Sequence, residues 1–266
     1  MSLPARRDNS GRWWFDDSVL WCSEWNSAAD VSGKVKSMNT QPIVSTVKQS
    51  VTKWLFSLLL TGSIWSFGTN AAQSASLQIL AFGDSITAGL GLMAEDSLPA
   101  QLKQRLLADG FDVDVINAGI SGDTTANGVA RLDTALAAGR IDVAIIELGI
   151  NDVWRGVNPM AVRANLEKII TALQANGITV LLTAAVSDDR NGQAYKQEFD
   201  AIYPDLAKKY RLTLVPFILD GIWGNDALLI DGAHPNAAGV AEMVKKIAPY
   251  VEKTLRLTNH QQSGMK

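Results

Sequence analysis

Histidine and cysteine are scarce in this chain. Its 266 residues hold two histidines, His234 and His260, and one cysteine, Cys22. A single thiol can form neither an internal disulfide nor a cysteine-built metal cage. Two histidines also argue against a multi-histidine zinc site, and no metal or cofactor is expected. Charge of one sign is missing too: 24 Lys and Arg stand against 27 Asp and Glu, a net of −3. The chain thus lacks the basic field that draws nucleic acid. A bilayer-spanning helix wants roughly 20 apolar residues. The apolar stretch Trp54–Phe67 has 14 and is interrupted by Ser, Thr and Gly, so no permanent membrane anchor is expected. What is present is ordinary globular composition, 47% hydrophobic and 19% charged, which excludes a wholly disordered or fibrous chain.

The composition shifts along the chain. Residues 1–37 carry four of the eight tryptophans and Cys22, with no sustained period of 2 or 3.6. They read either as an extra recognition segment or as sequence upstream of a true start at Met38, and the second reading is preferred. The preference comes from residues 38–75, which have the order of a secretory signal. A start without acidic residues, including Lys48 and Lys53, precedes the apolar stretch Trp54–Phe67. The small residues Ala71-Ala72-Gln73-Ser74-Ala75-Ser76 follow. Cleavage is expected between Ala72 and Ser76, giving a periplasmic or secreted protein. Cys22 lies upstream, so the mature domain would carry no thiol, which suits an oxidising compartment. From residue 76 onward 17 Lys and Arg face 22 Asp and Glu, a net of −5.

Residues 76–257 alternate apolar runs with helical patterns, and residues 258–266 form a polar tail. Strands are expected at Leu77–Phe82, Val113–Ile116, Ile141–Leu148, Ile178–Ala184 and Leu212–Val215. Helices are expected at Ser97–Asp109, Ala126–Ala138, Pro159–Ala175, Ala194–Tyr210 and Asn236–Leu255, with Asn158 as the N-cap of the third. Apolar strands joined by helical crossovers make a parallel sheet covered on both faces. The expected fold is therefore a single three-layer α/β/α domain. In such sheets the ligand crevice lies at the carboxyl ends of the strands.

Four segments sit at those ends. Gly83-Asp84-Ser85-Ile86-Thr87-Ala88-Gly89 can project a hydroxyl, although Gly-Asp-Ser is also a common surface turn. Asn117–Thr124 carries Gly119 and Gly122, which could bring backbone N–H groups to a ligand or simply form a loop. Gly149-Ile150-Asn151-Asp152 offers the Asn151 amide, or merely closes a turn. Asp231-Gly232-Ala233-His234-Pro235-Asn236 can bring a carboxylate onto a histidine; its bland alternative is capping by Asn236 beside an incidental histidine. Together the four supply a hydroxyl, a base, a carboxylate and oxyanion donors. A serine hydroxyl needs a base within hydrogen-bond reach, and the base needs an orienting group. His260 lies in the polar tail, so a histidine base must be His234.

Gly83-Asp84-Ser85-Ile86, Gly122, Gly149-Ile150-Asn151-Asp152 and Asp231–Asn236 resemble the four sequence blocks of the GDSL/SGNH hydrolases. Within that family the resemblance is strongest to bacterial periplasmic thioesterases, lysophospholipases and arylesterases. Ile120-Ser121-Gly122-Asp123-Thr124 and Ala201-Ile202-Tyr203-Pro204 strengthen it, and it covers roughly residues 77–255. The resemblance implies a flavodoxin-like five-stranded parallel sheet of order 2-1-3-4-5. It implies Ser85 as nucleophile, His234 as base and Asp231 as its partner. It implies an oxyanion hole from the N–H groups of Ser85 and Gly122 and the amide of Asn151, with Asp84 and Asp152 bracing their loops. Segments Val153–Asn158 and Ser187–Tyr195 would shape the acyl pocket.

The expected activity is hydrolysis of carboxylic esters, with thioesters and lysophospholipids, through an acyl-serine intermediate. The partner is then a small or lipid-like acyl ester. A carbohydrate acetylesterase of the same family is the alternative. A non-catalytic binding module would need one of the four blocks broken, and none is. Nor does Ser85 sit in the Gly-x-Ser-x-Gly elbow of α/β-hydrolases, since Thr87 stands two residues on. Gly89–Ala94 fits a dinucleotide fingerprint but begins too far past the strand, whose glycine must open the strand-to-helix turn.

Overall fold

In the computed structural model, residues 6–7, 13–14 and 76–264 are described. The expectations for the N-terminal extension and the export signal therefore lie outside the described residues, apart from one short antiparallel ladder. That ladder pairs Arg6–Arg7 with Trp13–Trp14 and belongs to a separate unit, Met1–Ser66.

The second unit is built on five strands: β1 (Leu77–Gly83), β2 (Val113–Gly119), β3 (Val143–Glu147), β4 (Thr179–Thr183) and β5 (Thr213–Val215). All pairings are parallel, in the order β2-β1-β3-β4-β5. The helices are α1 (Ser85–Ala88), α2 (Leu98–Ala108), α3 (Thr125–Leu136), α4 (Ile150–Trp154), α5 (Pro159–Ala175), α6 (Gln193–Asp200), α7 (Ile202–Tyr210) and α8 (Ala237–Gly264).

The central strands are apolar at nearly every position because both faces are covered. Leu77 and Ile79 of β1, Val143 and Ile145 of β3 and Leu181 of β4 join one buried cluster, with Leu102 of α2 and Met243 and Ile247 of α8. Leu80, Phe82, Ala144, Ile146 and Leu182 point the other way, into a cluster with Leu166 and Ile169 of α5 and Leu206 of α7. Alternating side chains thus split one apolar run between two cores. The three layers and the strand order match the sequence expectation.

Several boundaries differ. The helix expected at Ala194–Tyr210 breaks at Ala201 into α6 and α7. Pro204 lacks the N–H that would bond the Asp200 carbonyl and its ring crowds that carbonyl, which favours a break here, although α8 runs on through Pro249. β2 continues to Gly119 because its pairing with β1 runs through Phe82↔Ala118 and Gly83↔Gly119. The strand expected at Ile141–Leu148 shortens to Val143–Glu147. The final helix runs beyond Leu255 to Gly264, into the expected polar tail. Two further helices, α1 and α4, are each a turn or so long and directly follow a strand.

Candidate active site

The register β1–β3 ends on Gly83↔Glu147, so the loops after these strands emerge side by side. Asp84 caps α1: its Oδ1 accepts the Ile86 N–H at 3.0 Å. The cap fixes Ser85 at the first position of α1, where its side chain is 6% exposed. Gly83 leaves no room for a side chain, since a Cβ there would stand 2.0 Å from Thr87 Oγ1.

Far along the chain, the loop before α8 folds back to this turn. His234 Nε2 lies 3.0 Å from Ser85 Oγ, and His234 Nδ1 lies 2.8 Å from Asp231 Oδ2. Asp231 Oδ1 also accepts the backbone N–H groups of Ala233 and His234, at 3.0 and 2.9 Å. Partial burial pushes the Asp231 carboxyl up. The hydrogen bonds from the His234 N–H, its ring and the Ala233 N–H outweigh this and hold it below its ordinary value. Asp231 thus stays ionised beside the ring. Asn236 meanwhile caps α8, with Oδ1 accepting the Gly239 N–H at 3.0 Å. Capping and the histidine contact therefore coexist in one loop.

The other two expected segments converge on the same place. Asn151, 6% exposed in α4, donates its Nδ2 hydrogens to Asp84 Oδ2 at 3.1 Å and to the Asp123 carbonyl at 3.0 Å. Gly122 adopts φ +82°, within reach of glycine but costly for other residues, in the turn closed by Asp123 N–H on the Ile120 carbonyl. Its carbonyl accepts from Arg155 at 2.9 Å. Arg131 ties the surrounding strand ends together, donating to the carbonyls of Gly83 and Ala118 and to Asp123 Oδ2. Asp152 is fully buried, and its two oxygens accept the Thr125 N–H and Oγ1 at 2.8 and 2.7 Å. Asp84 and Asp152 therefore act as braces.

A cleft, partly open to solvent, runs from Ser85 and His234. Ile150, Trp154, Ala184, Ala185, Phe217 and Trp223 line it. Of the two segments expected to shape it, Val153–Asn158 contributes Trp154 alone, and its first residues are helical. Segment Ser187–Tyr195 does not line this cleft. It supports the first segment from behind: Asn191 donates to the Val153 carbonyl, Tyr195 to the Val157 carbonyl, and Arg190 lies 5.9 Å over the Trp154 ring. The sequence reading missed Phe217 and Trp223, which follow β5 without any motif.

It also missed Glu147, whose carboxyl accepts Thr87 Oγ1 at 2.8 Å beside Asp84. The available signal was an acidic residue closing an otherwise apolar strand. Burial pushes Asp84 up to about 6, against hydrogen bonds from Ile86 and Glu147 and the charge of His234. Burial first, and the Asp84 charge second, hold Glu147 well above its ordinary value. Among the described residues no group of three or more His, Cys, Asp or Glu is placed to hold a metal ion.

A buried hydroxyl, a histidine and a carboxylate in hydrogen-bond series at the mouth of an apolar cleft form the arrangement used for acyl transfer. Comparison with known proteins agrees. Residues 81–241 match the GDSL-like Lipase/Acylhydrolase family. The chain is 36% identical over 199 residues to Esterase TesA of Pseudomonas aeruginosa, covering 74% of this chain and 98% of that one. It is 34% identical over 213 residues to Thioesterase 1/protease 1/lysophospholipase L1 of Escherichia coli strain K12, covering 78% and 93%. The crystal structure of AlinE4, an SGNH-hydrolase family esterase, superposes with TM-score 0.57 at 43% identity, covering 68% of this chain and 97% of that one. This chain belongs to the GDSL-like lipase/acylhydrolase family and is a serine hydrolase acting on ester bonds.

Proposed function

We propose that Ser85, His234 and Asp231 carry the reaction, on acyl esters, thioesters and lysophospholipids, in an exported protein. The observation that supports the assignment most is the series Asp231–His234–Ser85 at 2.8 and 3.0 Å. Ser85 Oγ attacks the acyl carbon as its proton passes to His234 Nε2. The Asp231 carboxylate holds the ring and stabilises the imidazolium. The Ser85 and Gly122 N–H groups and the Asn151 amide receive the developing oxyanion, the amide by releasing one of its two present acceptors, Asp84 Oδ2 or the Asp123 carbonyl. His234 then gives the proton to the departing alcohol or thiol. Water, deprotonated by His234, splits the acyl-serine to the free acid and restores Ser85.

The substrate range rests on the cleft and on the relatives. Ile150, Ala184, Ala185, Phe217 and the two tryptophans offer apolar surface to an acyl chain, at roughly 0.8 kcal/mol per buried CH₂. The carbohydrate acetylesterase alternative is not favoured, because an acetyl group uses almost none of this wall. For localisation, the signal-like residues 38–75 support export with a mature start between Gln73 and Leu77. Among the described residues no helix is long and apolar enough to cross a membrane.

One panel tests the reading: p-nitrophenyl esters from two to twelve carbons, an acyl-CoA, a lysophospholipid and acetylated xylan. Activity rising beyond the acetyl ester and extending to the acyl-CoA is expected; turnover of acetylated xylan alone overturns the substrate assignment. A fluorophosphonate should add once, to Ser85, and abolish turnover; a label on Ser121 or Ser187 overturns the nucleophile. Intact-mass measurement of the exported protein checks the cleavage site. A species retaining Trp54–Phe67 would mean an anchored protein.

A further inference from the structure

In the proposed reaction the Gly122 N–H meets the oxyanion from the turn Ile120–Asp123, outside any helix or strand. That N–H donates to no other group among the described residues, so it is free for a ligand. No ladder or helical turn fixes where it points, and its neighbours must do so. The turn closes on itself through the Asp123 N–H on the Ile120 carbonyl at 3.2 Å. Its two ends are tethered differently. At one end the Ile120 N–H donates to the Gly83 carbonyl at 3.1 Å. At the other end Asp123 Oδ2 accepts from Arg131 Nε.

Arg131, in α3, carries the second tether back to the first. Its Nη2 donates to the same Gly83 carbonyl and its Nη1 to the Ala118 carbonyl, each at 2.9 Å. Gly83, Ile120, Asp123 and Arg131 thus form a closed circuit that joins the Gly122 turn to the backbone two residues before Ser85. The guanidinium lies 4.0 Å over the ring of fully buried Phe82, which fixes its plane. Both charged side chains are mostly enclosed, Arg131 16% and Asp123 11% exposed. A guanidinium holds its donors in one rigid plane, whereas a lysine offers a compact charge on a flexible stem. Only the former meets three acceptors in three directions.

We propose that Arg131 is a positioning residue that sets the Gly122 N–H at a fixed distance from the Ser85 N–H, so that both meet one oxyanion. This rests on the reading of Ser85 as nucleophile and Gly122 as oxyanion donor. Arg131 acts through Gly83 and Asp123 and borders neither the base nor the cleft. Arg155 also donates to the Gly122 carbonyl at 2.9 Å, but that contact is exposed and ties the turn to the end of α4. The link to the nucleophile's own turn is made by Arg131.

The test uses Arg131→Lys, the double variant Arg131→Met with Asp123→Asn, and Ser85→Ala, in the full chain with p-nitrophenyl butyrate. Arg131→Lys keeps the charge facing Asp123 but not the fork; the double variant removes the pair without leaving a buried charge alone. Active sites are counted with a fluorophosphonate, so kcat is expressed per reactive serine. Misplacing a catalytic group by about 1 Å can cost ~10²-fold. Both variants should therefore lose about 10- to 100-fold in kcat, with KM within about threefold. An alkyl trifluoromethyl ketone supplies the second readout. Ser85 Oγ adds to its carbonyl carbon, the proton passes to His234 and the carbonyl electron pair becomes an oxyanion in the hole. Its inhibition constant should weaken by a similar factor. A merely structural role would lower the count of active sites and leave kcat per site and this constant unchanged. Three results would each overturn the proposal: kcat per site within about twofold of wild type in both variants, a loss confined to KM, or an unchanged inhibition constant beside a lowered kcat. If Arg131→Lys does not fold, the double variant decides by the same readings. Ser85→Ala separates the layers: its retained activity would overturn the reading of the reaction, whereas inactive Ser85→Ala beside wild-type-like Arg131 variants overturns only the positioning role.

Discussion

Asp231 grips His234 twice, Oδ2 on the ring Nδ1 at 2.8 Å and Oδ1 on the backbone N–H at 2.9 Å. One carboxylate therefore sets both the position of the residue and the orientation of its ring. In Asp231→Asn the amide can keep only one of these acceptor roles, and its NH₂ opposes the tautomer the base needs. The variant should fold and lose about 10²- to 10⁴-fold in kcat, with the upper end reached if the tautomer is reversed. His234→Ala should lose at least as much. Steady-state kinetics with circular dichroism checks both. Folded His234→Ala retaining more than about a tenth of wild-type kcat, a loss under ~1.4 kcal/mol, would refute serine–histidine catalysis.

Asn151→Ala should act on rate and on stability together. Losing one oxyanion donor lowers kcat by about 10²- to 10³-fold while KM stays within a few-fold. The same substitution removes the amide from buried Asp84 Oδ2 and from the Asp123 carbonyl. Leaving such acceptors unpaired costs about 1–3 kcal/mol. Kinetics and urea unfolding on one preparation measure both. A full loss of kcat with unchanged stability would mean that those two contacts contribute nothing to the fold.

Gly149 precedes α4 and so sets where Asn151 sits. Its φ is +128°, and a Cβ there would stand 2.0 Å from Tyr203 Oη. Tyr203 is fully buried and donates to the Leu148 carbonyl at 2.9 Å. Gly149→Ala should destabilise by at least ~2 kcal/mol, from backbone strain of about 1–3 kcal/mol plus the clash. Adding Tyr203→Phe removes the clashing oxygen but not the strain, so the double variant should recover only part of the loss. Complete recovery in urea unfolding would show that strain at Gly149 is unimportant.

The pair Asp84–Glu147 gives a signed dependence of stability on pH. Both carboxyls are held above their ordinary values of 3.8 and 4.5, Asp84 at about 6 and Glu147 well above its own. The folded protein therefore retains protons that the unfolded chain releases. Where the folded state binds more protons, stability falls as pH rises. The fall begins near the ordinary carboxyl values and ends once the folded groups have ionised. Glu147→Gln removes one of the two contributions, so its melting temperature relative to wild type should climb as pH increases above the ordinary carboxyl range. Parallel melting curves across that range would count against a protonated Glu147. Asp231 has the opposite sign, its contribution being lost as pH falls through its lowered value. Its side chain is 49% exposed, so solvent screens the effect.

The sequence by itself determined the sheet, because side chains alternating into two cores leave an unmistakable apolar run in β1, β3 and β4. It also located Ser85, Gly122, Asn151, Asp231 and His234, since glycines and capping residues after strands are local features. Tertiary structure decided what local pattern cannot encode. The cleft wall from Phe217 and Trp223 carries no motif, because any apolar side chain at those positions would serve. The break at Ala201 turned on one missing N–H at Pro204 inside an otherwise helical pattern. The support of Trp154 by Arg190 and the hydrogen bond from Thr87 to Glu147 join residues far apart in the chain. Only the parallel β1–β3 register, which sets Gly83 opposite Glu147, brings that second carboxyl to the nucleophile.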